Sequence, residues 1–128
     1  MNAEVQEWLH KARESVRAAQ VLSDSGFSAE AISRAYYAMF YGAKALSVSE
    51  GQDLSKHSAV IAAFGHDFVA TGKLAPHLHQ YLRQGFDERN LADYRAAARP
   101  TEDDAVEQIG HAEEFLVAVE RFLEGEDE

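Results

Sequence analysis

The chain has 128 residues, 46% of them hydrophobic and 27% charged, with no cysteine and only two prolines, Pro76 and Pro100. That suits one globular domain over residues 1–128 and excludes a disordered chain, a disulfide framework, thiolate catalysis and cysteine-based zinc sites. The net charge of −10 is confined to the end: residues 1–100 carry 11 basic and 11 acidic side chains, and residues 101–128 carry 11 acids against the single base Arg121.

Five helical segments are predicted in chain order. In the first, over about residues 3–24, Val5, Trp8, Leu9, Ala12, Val16 and Ala19 recur at helical spacing. Gly26 ends it and Ser28 is the expected cap of the next. The second, over about 29–50, is apolar around most of its circumference, as a central bundle helix should be. Ala31, Ala35, Ala38, Gly42 and Ala45 form a seam of small side chains that lets another helix approach closely. Ser33, Arg34, Tyr37, Tyr41 and Lys44 form a polar-aromatic edge on its far side, and Gly51 terminates it. The third segment, Ser58 to Thr71, is short, with Val60, Ile61, Phe64, Phe68 and Val69 apolar and Gly72 closing it.

The fourth segment, about 76–98, opens with Pro76, well tolerated in a first turn. The fifth follows Pro100, with Thr101 and Asp104 spaced as in a capping box. Val106, Ile109, Ala112, Phe115, Leu116, Val119 and Leu123 make its inner stripe. Its acids, continuing into a tail over 124–128, read as a solvated face, or more sharply as a docking surface for a basic partner. No concentrated basic surface of the kind a nonspecific nucleic-acid binder needs is visible. No apolar run reaches the length of a membrane span, and residues 1–20 lack a secretion signal, so a cytoplasmic location is expected. Short loops between long helices favour an all-α, up-and-down bundle.

The fourth segment carries polar residues where the pattern reserves apolar ones. Leu78, Leu82 and Phe86 mark one stripe, which at ~100° per residue continues through Arg89 and Asp93 to Ala96 and Ala97, with Asn90 at its edge and Tyr94 further round. One reading is a partly buried ion pair tied to tyrosines of the second helix. The other is a cleft in which Arg89 offers its planar fork to a phosphate while Asn90 or Asp93 orients the substrate. The six histidines have no zinc-like spacing, so no metal is expected; no Gly-rich phosphate loop is present, and no cofactor is expected.

Ser33-Arg34-Ala35-Tyr36-Tyr37-Ala38-Met39-Phe40-Tyr41 with Ala43-Lys44-Ala45-Leu46, Lys56-His57-Ser58 ahead of Ile61 to Gly65, and Arg89-Asn90-Leu91-Ala92-Asp93-Tyr94 resemble, in order and spacing, a small prokaryotic branch of the HEPN domain family. The resemblance spans about residues 4–122. It implies a four-helix up-and-down bundle with an additional short helix, usually a homodimer. Many members are ribonucleases, often toxins of toxin–antitoxin pairs, and a common partner is a minimal nucleotidyltransferase. Others bind nucleotides without known activity.

The resemblance makes Arg89, Asn90, Asp93 and Tyr94 the candidate catalytic residues, with Tyr94 a candidate acceptor should a nucleotide be transferred onto the protein. Arg89, Tyr37, Tyr41, Lys56 and His57 become the candidate nucleotide- or substrate-binding set. The ribonuclease signature is an arginine, a polar residue, and a histidine four to six residues beyond. Arg89 and Asn90 match its first half, while residues 93–96 are Asp93, Tyr94, Arg95 and Ala96. Three functions are therefore carried forward: a toxin-like partner of a nucleotidyltransferase with a nucleotide- or RNA-facing cleft, a divergent metal-independent endoribonuclease, and a noncatalytic nucleotide-binding or scaffold module.

Overall fold

In a computed structural model that describes residues 1–97 and 99–125, α1 (Ala3–Asp24) starts where the Asn2 side chain accepts the Val5 N–H at 2.8 Å. Gly26, at φ +87, ends it in the left-handed region that an L side chain rarely adopts. The chain passes directly into α2 (Ser28–Ser49), so Ser28 is the first helical residue and not the expected cap. The cap position belongs to Phe27, whose carbonyl accepts from Ala31 N–H at 2.9 Å.

The third segment divides. α3 (His57–Phe64) is a regular helix, and Gly65–Val69 continue it as a π turn. A Cβ on Gly65 would sit 2.8 Å from the His79 ring, so glycine lets α4 come this close. α4 (Pro76–Tyr94) is shorter than expected: Arg95 is extended, at φ −112 and ψ 109, and Ala96 and Ala97 are exposed turn residues. Among the described residues nothing covers those two alanines, so extending the helix would bury no further apolar surface against them. Ala98, in the expected fourth segment, and residues 126–128 of the acidic tail lie outside the described residues. α5 (Glu102–Leu123) carries the expected capping box between Thr101 and Asp104. Its inner stripe starts on Ala105, while Val106, ~100° further round, is exposed.

α2 is the centre, touching α1, α3, α4 and α5, whereas α1 and α4 lie apart. Its small-residue seam is buried throughout, and a Cβ on Gly42 would meet Leu116 Cδ2 at 2.7 Å. The seam therefore serves close packing of α5 within the monomer. Tyr36, Met39, Leu46, Phe64, Phe68, Leu82 and Phe115 fill the core. The result is the expected all-α, up-and-down four-helix bundle with α3 as the additional short helix. Among the described residues no helix is long and apolar enough to cross a membrane.

Lys44 departs from its expected place on the polar edge. It is buried, donates to the Leu54 carbonyl, and lies 3.6 Å from Asp53 and 5.6 Å from the Trp8 ring. The loop into α3 closes over it, which gives its charge the partners that burial requires.

Candidate functional site

The stripe Leu78–Leu82–Phe86 on α4 delivers Arg89 to the point where the core gives way to solvent. Its side chain is 14% exposed, and each nitrogen of its fork meets a different group. Nη2 donates to Tyr37 Oη at 2.5 Å, and Nη1 to Asn90 Oδ1 at 3.0 Å. Nε lies 3.1 Å from Asp93 Oδ2, one turn along the helix, near enough for charge pairing but off the line of a hydrogen bond. Ser33 of α2 donates to the same carboxylate oxygen at 3.3 Å.

Three tyrosines surround the guanidinium. Its Cζ lies 5.1 Å from the ring centre of Tyr37, 5.5 Å from Tyr94 and 5.9 Å from Tyr36. These ring faces stabilise a cation that water reaches poorly. Tyr94 itself is 73% exposed. The ion pair expected from the sequence thus forms, and it does so where the core meets the surface.

Tyr36 and Tyr37 are adjacent on α2 and so point about a quarter-turn apart. Tyr37 goes to Arg89, and Tyr36 goes into the core. Burial pushes the Tyr36 phenol well above its ordinary range, although the Arg89 charge works the other way. It shares a 2.6 Å hydrogen bond with His57 Nδ1. The His57 ring stacks on Phe40 at 4.2 Å and 13°. His57 titrates below its ordinary value, first through burial and then through the Arg89 charge.

The expected residues are therefore brought together unevenly. Arg89, Asn90, Asp93, Tyr94 and Tyr37 form one cluster, with His57 joined through Tyr36. Tyr41 borders it, 5.8 Å from Tyr37 ring to ring, but faces Trp8 at 5.7 Å and Lys11 at 4.8 Å. Lys56 is exposed at the cap of α3. Sequence reasoning missed Tyr36 and Ser33 as members of the site. Tyr36 was findable, since it lies four residues after Ile32 and four before Phe40, on the apolar arc of α2.

Chemically the cluster offers a preorganised guanidinium with two neutral acceptors and one carboxylate as its present partners. An arriving phosphate can replace neutral oxygens with charged ones, which form stronger hydrogen bonds. No group of three or more His, Asp or Glu able to hold a metal ion occurs among the described residues.

The chain as a whole is similar to known proteins. A family model described as HEPN domain matches residues 5–122. A UPF0332 protein of Thermotoga maritima is 36% identical over 120 residues, covering 94% of this chain and 91% of that one. A Methanocaldococcus jannaschii protein, whose name marks it as a candidate toxin, is 32% identical over 120 residues, covering 94% and 82%. A Thermus thermophilus protein of known crystal structure matches the fold with a TM-score of 0.79 at 24% identity, over 95% of this chain and 99% of that one.

Proposed function

The chain belongs to the HEPN domain family, and from that premise we propose that it is the toxin-like half of a two-component pair, with a nucleotide- or RNA-facing cleft around Arg89. The observation that carries this reading is the state of Arg89: a guanidinium fork held at the surface end of α4, mostly shielded from water, by Tyr37, Asn90 and Asp93. Such a fork matches phosphate geometry and loses little freedom on binding. The candidate-toxin name of the Methanocaldococcus jannaschii relative supports the toxin-like part.

The partner is a minimal nucleotidyltransferase, and the working unit is a homodimer. Tyr94, exposed beside Arg89, is the acceptor this chain offers should that partner transfer a nucleotide. The test is co-expression with the product of the neighbouring reading frame. A nucleotidyltransferase that co-purifies with this chain, and attaches label from a radiolabelled nucleotide to it, is expected. Separate elution of the two proteins would count against the pair, and a monomer in sedimentation at micromolar concentration against the dimer.

A second reading, a divergent metal-independent endoribonuclease, is favoured by one observation. His57 comes from α3 to the Arg89 neighbourhood with its Nδ1 held by Tyr36 and its Nε2 without a hydrogen-bond partner among the described residues. A histidine held in this way is a group that could move protons. Cleavage of RNA is then expected to be insensitive to EDTA and lost in a folded Arg89→Lys variant. RNA left intact beside a positive control that cuts it would remove this reading and leave the first.

A further inference from the structure

A second arginine stands beside the first. Arg34 precedes Tyr37 by three residues, about one turn of α2, and its guanidinium carbon lies 4.7 Å from the Tyr37 ring centre. Arg89 reaches the same ring from α4, at 5.1 Å. The two cations are thus no further apart than the sum of those distances, and one tyrosine sets their spacing. Its hydroxyl holds Arg89, and its ring carries both.

Their surroundings differ. Asp93 stands 3.1 Å from Arg89. Among the described residues no carboxylate lies within ion-pair reach of Arg34, which is partly buried. Arg34, Arg89 and Asp93 together thus carry a formal charge of one positive unit, on a chain that is acidic overall. A guanidinium lying over an aromatic ring keeps its in-plane N–H donors available. The plainest alternative is a solvated helix cation that steadies the tyrosine and does nothing else.

Building on the nucleotide- or RNA-facing cleft proposed above, we propose that Arg34 is a second phosphate-binding residue, taking the phosphate next to the one held by Arg89. The ligand is a molecule with at least two neighbouring phosphates. An RNA strand and a nucleoside triphosphate both provide this, and the experiment separates them.

The test measures binding of a short fluorescent single-stranded oligoribonucleotide and, separately, of a fluorescent nucleoside triphosphate. Each is titrated in EDTA across a series of potassium chloride concentrations, against wild type, R34Q and R34K, with thermal melts to confirm folding. R34Q is expected to bind roughly tenfold more weakly, the effect of one charge-assisted hydrogen bond. For the strand, its log–log salt dependence should be shallower by about 0.7, one phosphate's share of released counterions. R34K should restore that slope and part of the affinity. An effect confined to the strand identifies adjacent backbone phosphates, and one confined to the triphosphate a free nucleotide.

A strand-binding R34Q with the wild-type salt slope overturns the inference whatever its affinity, because a residue that only steadies Tyr37 releases no ion of its own. The inference is equally overturned if only the triphosphate binds and R34Q holds it as tightly as wild type. Should R34Q fail to fold, the wild type decides: its Arg34 Nε–H resonance must shift on titration with whichever ligand binds, and a static resonance overturns the inference. Wild type that binds neither ligand overturns the proposed cleft as well, which distinguishes the two failures.

Discussion

α4 carries two clusters built from similar ingredients, and they behave differently. At its start, His77 pairs with Glu114 of α5 at 2.7 Å, Tyr81 donates to the same carboxylate at 3.1 Å, and the Tyr81 ring stacks on His111 at 3.9 Å and 7°. At its end, Arg89 meets Asp93, Asn90 and Tyr37. Both contain an acid, a tyrosine and a nitrogen base. In the first, the paired side chains are 47% and 52% exposed, so water and salt screen them. In the second, the cation is 14% exposed and depends on its protein partners. The ingredients do not distinguish a site from a surface ion pair. The shielding of the charge and the balance of charge around it do.

The comparison would break first at Arg89. Arg89→Met leaves Asp93 without its cation and Tyr37 Oη without its donor, so a loss of about 2 kcal/mol is expected in urea unfolding. That is less than for a fully buried pair because Asp93 stands at the surface. Arg89→Lys keeps the charge, loses the fork, and should recover most of the stability without recovering phosphate binding. Recovery of both would mean that charge alone defines the site. Tyr37→Phe comes next: it removes one hydrogen bond to Arg89 and keeps the ring under both arginines. A loss of about 1 kcal/mol is expected, with ligand affinity falling less than in Arg89→Lys.

These effects were only partly legible in the sequence. The bundle was, because apolar periodicity in α1, α2 and α5 and the breaks at Gly26, Gly51 and Pro100 are local signals. Arg89 and Asp93 were also visible, as polar residues on an apolar stripe. Their partners were not. The apolar arc of α2 marks Tyr36 as the one of the two adjacent tyrosines that enters the core, but nothing local tells that this joins His57 to Tyr36 and leaves Tyr37 for Arg89. Lys44 illustrates the same limit: the sequence places it on the polar edge, but the loop through Asp53 and Leu54 that closes over it and buries it is a tertiary event. The end of α4 at Tyr94 likewise depends on Ala96 and Ala97 finding nothing among the described residues to pack against.

A smaller and sharper measurement is the titration of His57. Its pKa lies below the ordinary value, with burial the larger cause and the Arg89 charge the smaller. Followed by NMR, it should rise in Arg89→Gln but stay below that of an unfolded histidine, since the ring remains stacked on Phe40. The linked stability has a definite sign. The unfolded chain takes up its proton at the ordinary histidine value, above the folded one. The His57 contribution is therefore complete above about pH 6.5 and declines as pH falls towards the folded pKa. A pKa unmoved in Arg89→Gln would show that the two groups are not electrostatically joined, and would remove His57 from the cluster.

The least effect is expected at the other end of α4, and its smallness is informative. The Glu114 carboxyl lies below the usual carboxylate range, chiefly through the hydrogen bond from His77 and less through that from Tyr81. Its share of stability should be present near neutrality and lost as pH falls through the carboxylate range. Water solvates both partners, however, so His77→Ala should leave the neutral-pH unfolding midpoint within error of wild type and ligand binding unchanged. The single visible change should be in acid, where the variant's stability falls less steeply than that of the wild type because Glu114 has lost its main reason to stay ionised. A His77→Ala variant that weakened phosphate binding would place ligand contacts along the whole of α4, and shielding of the cation would no longer separate the two clusters.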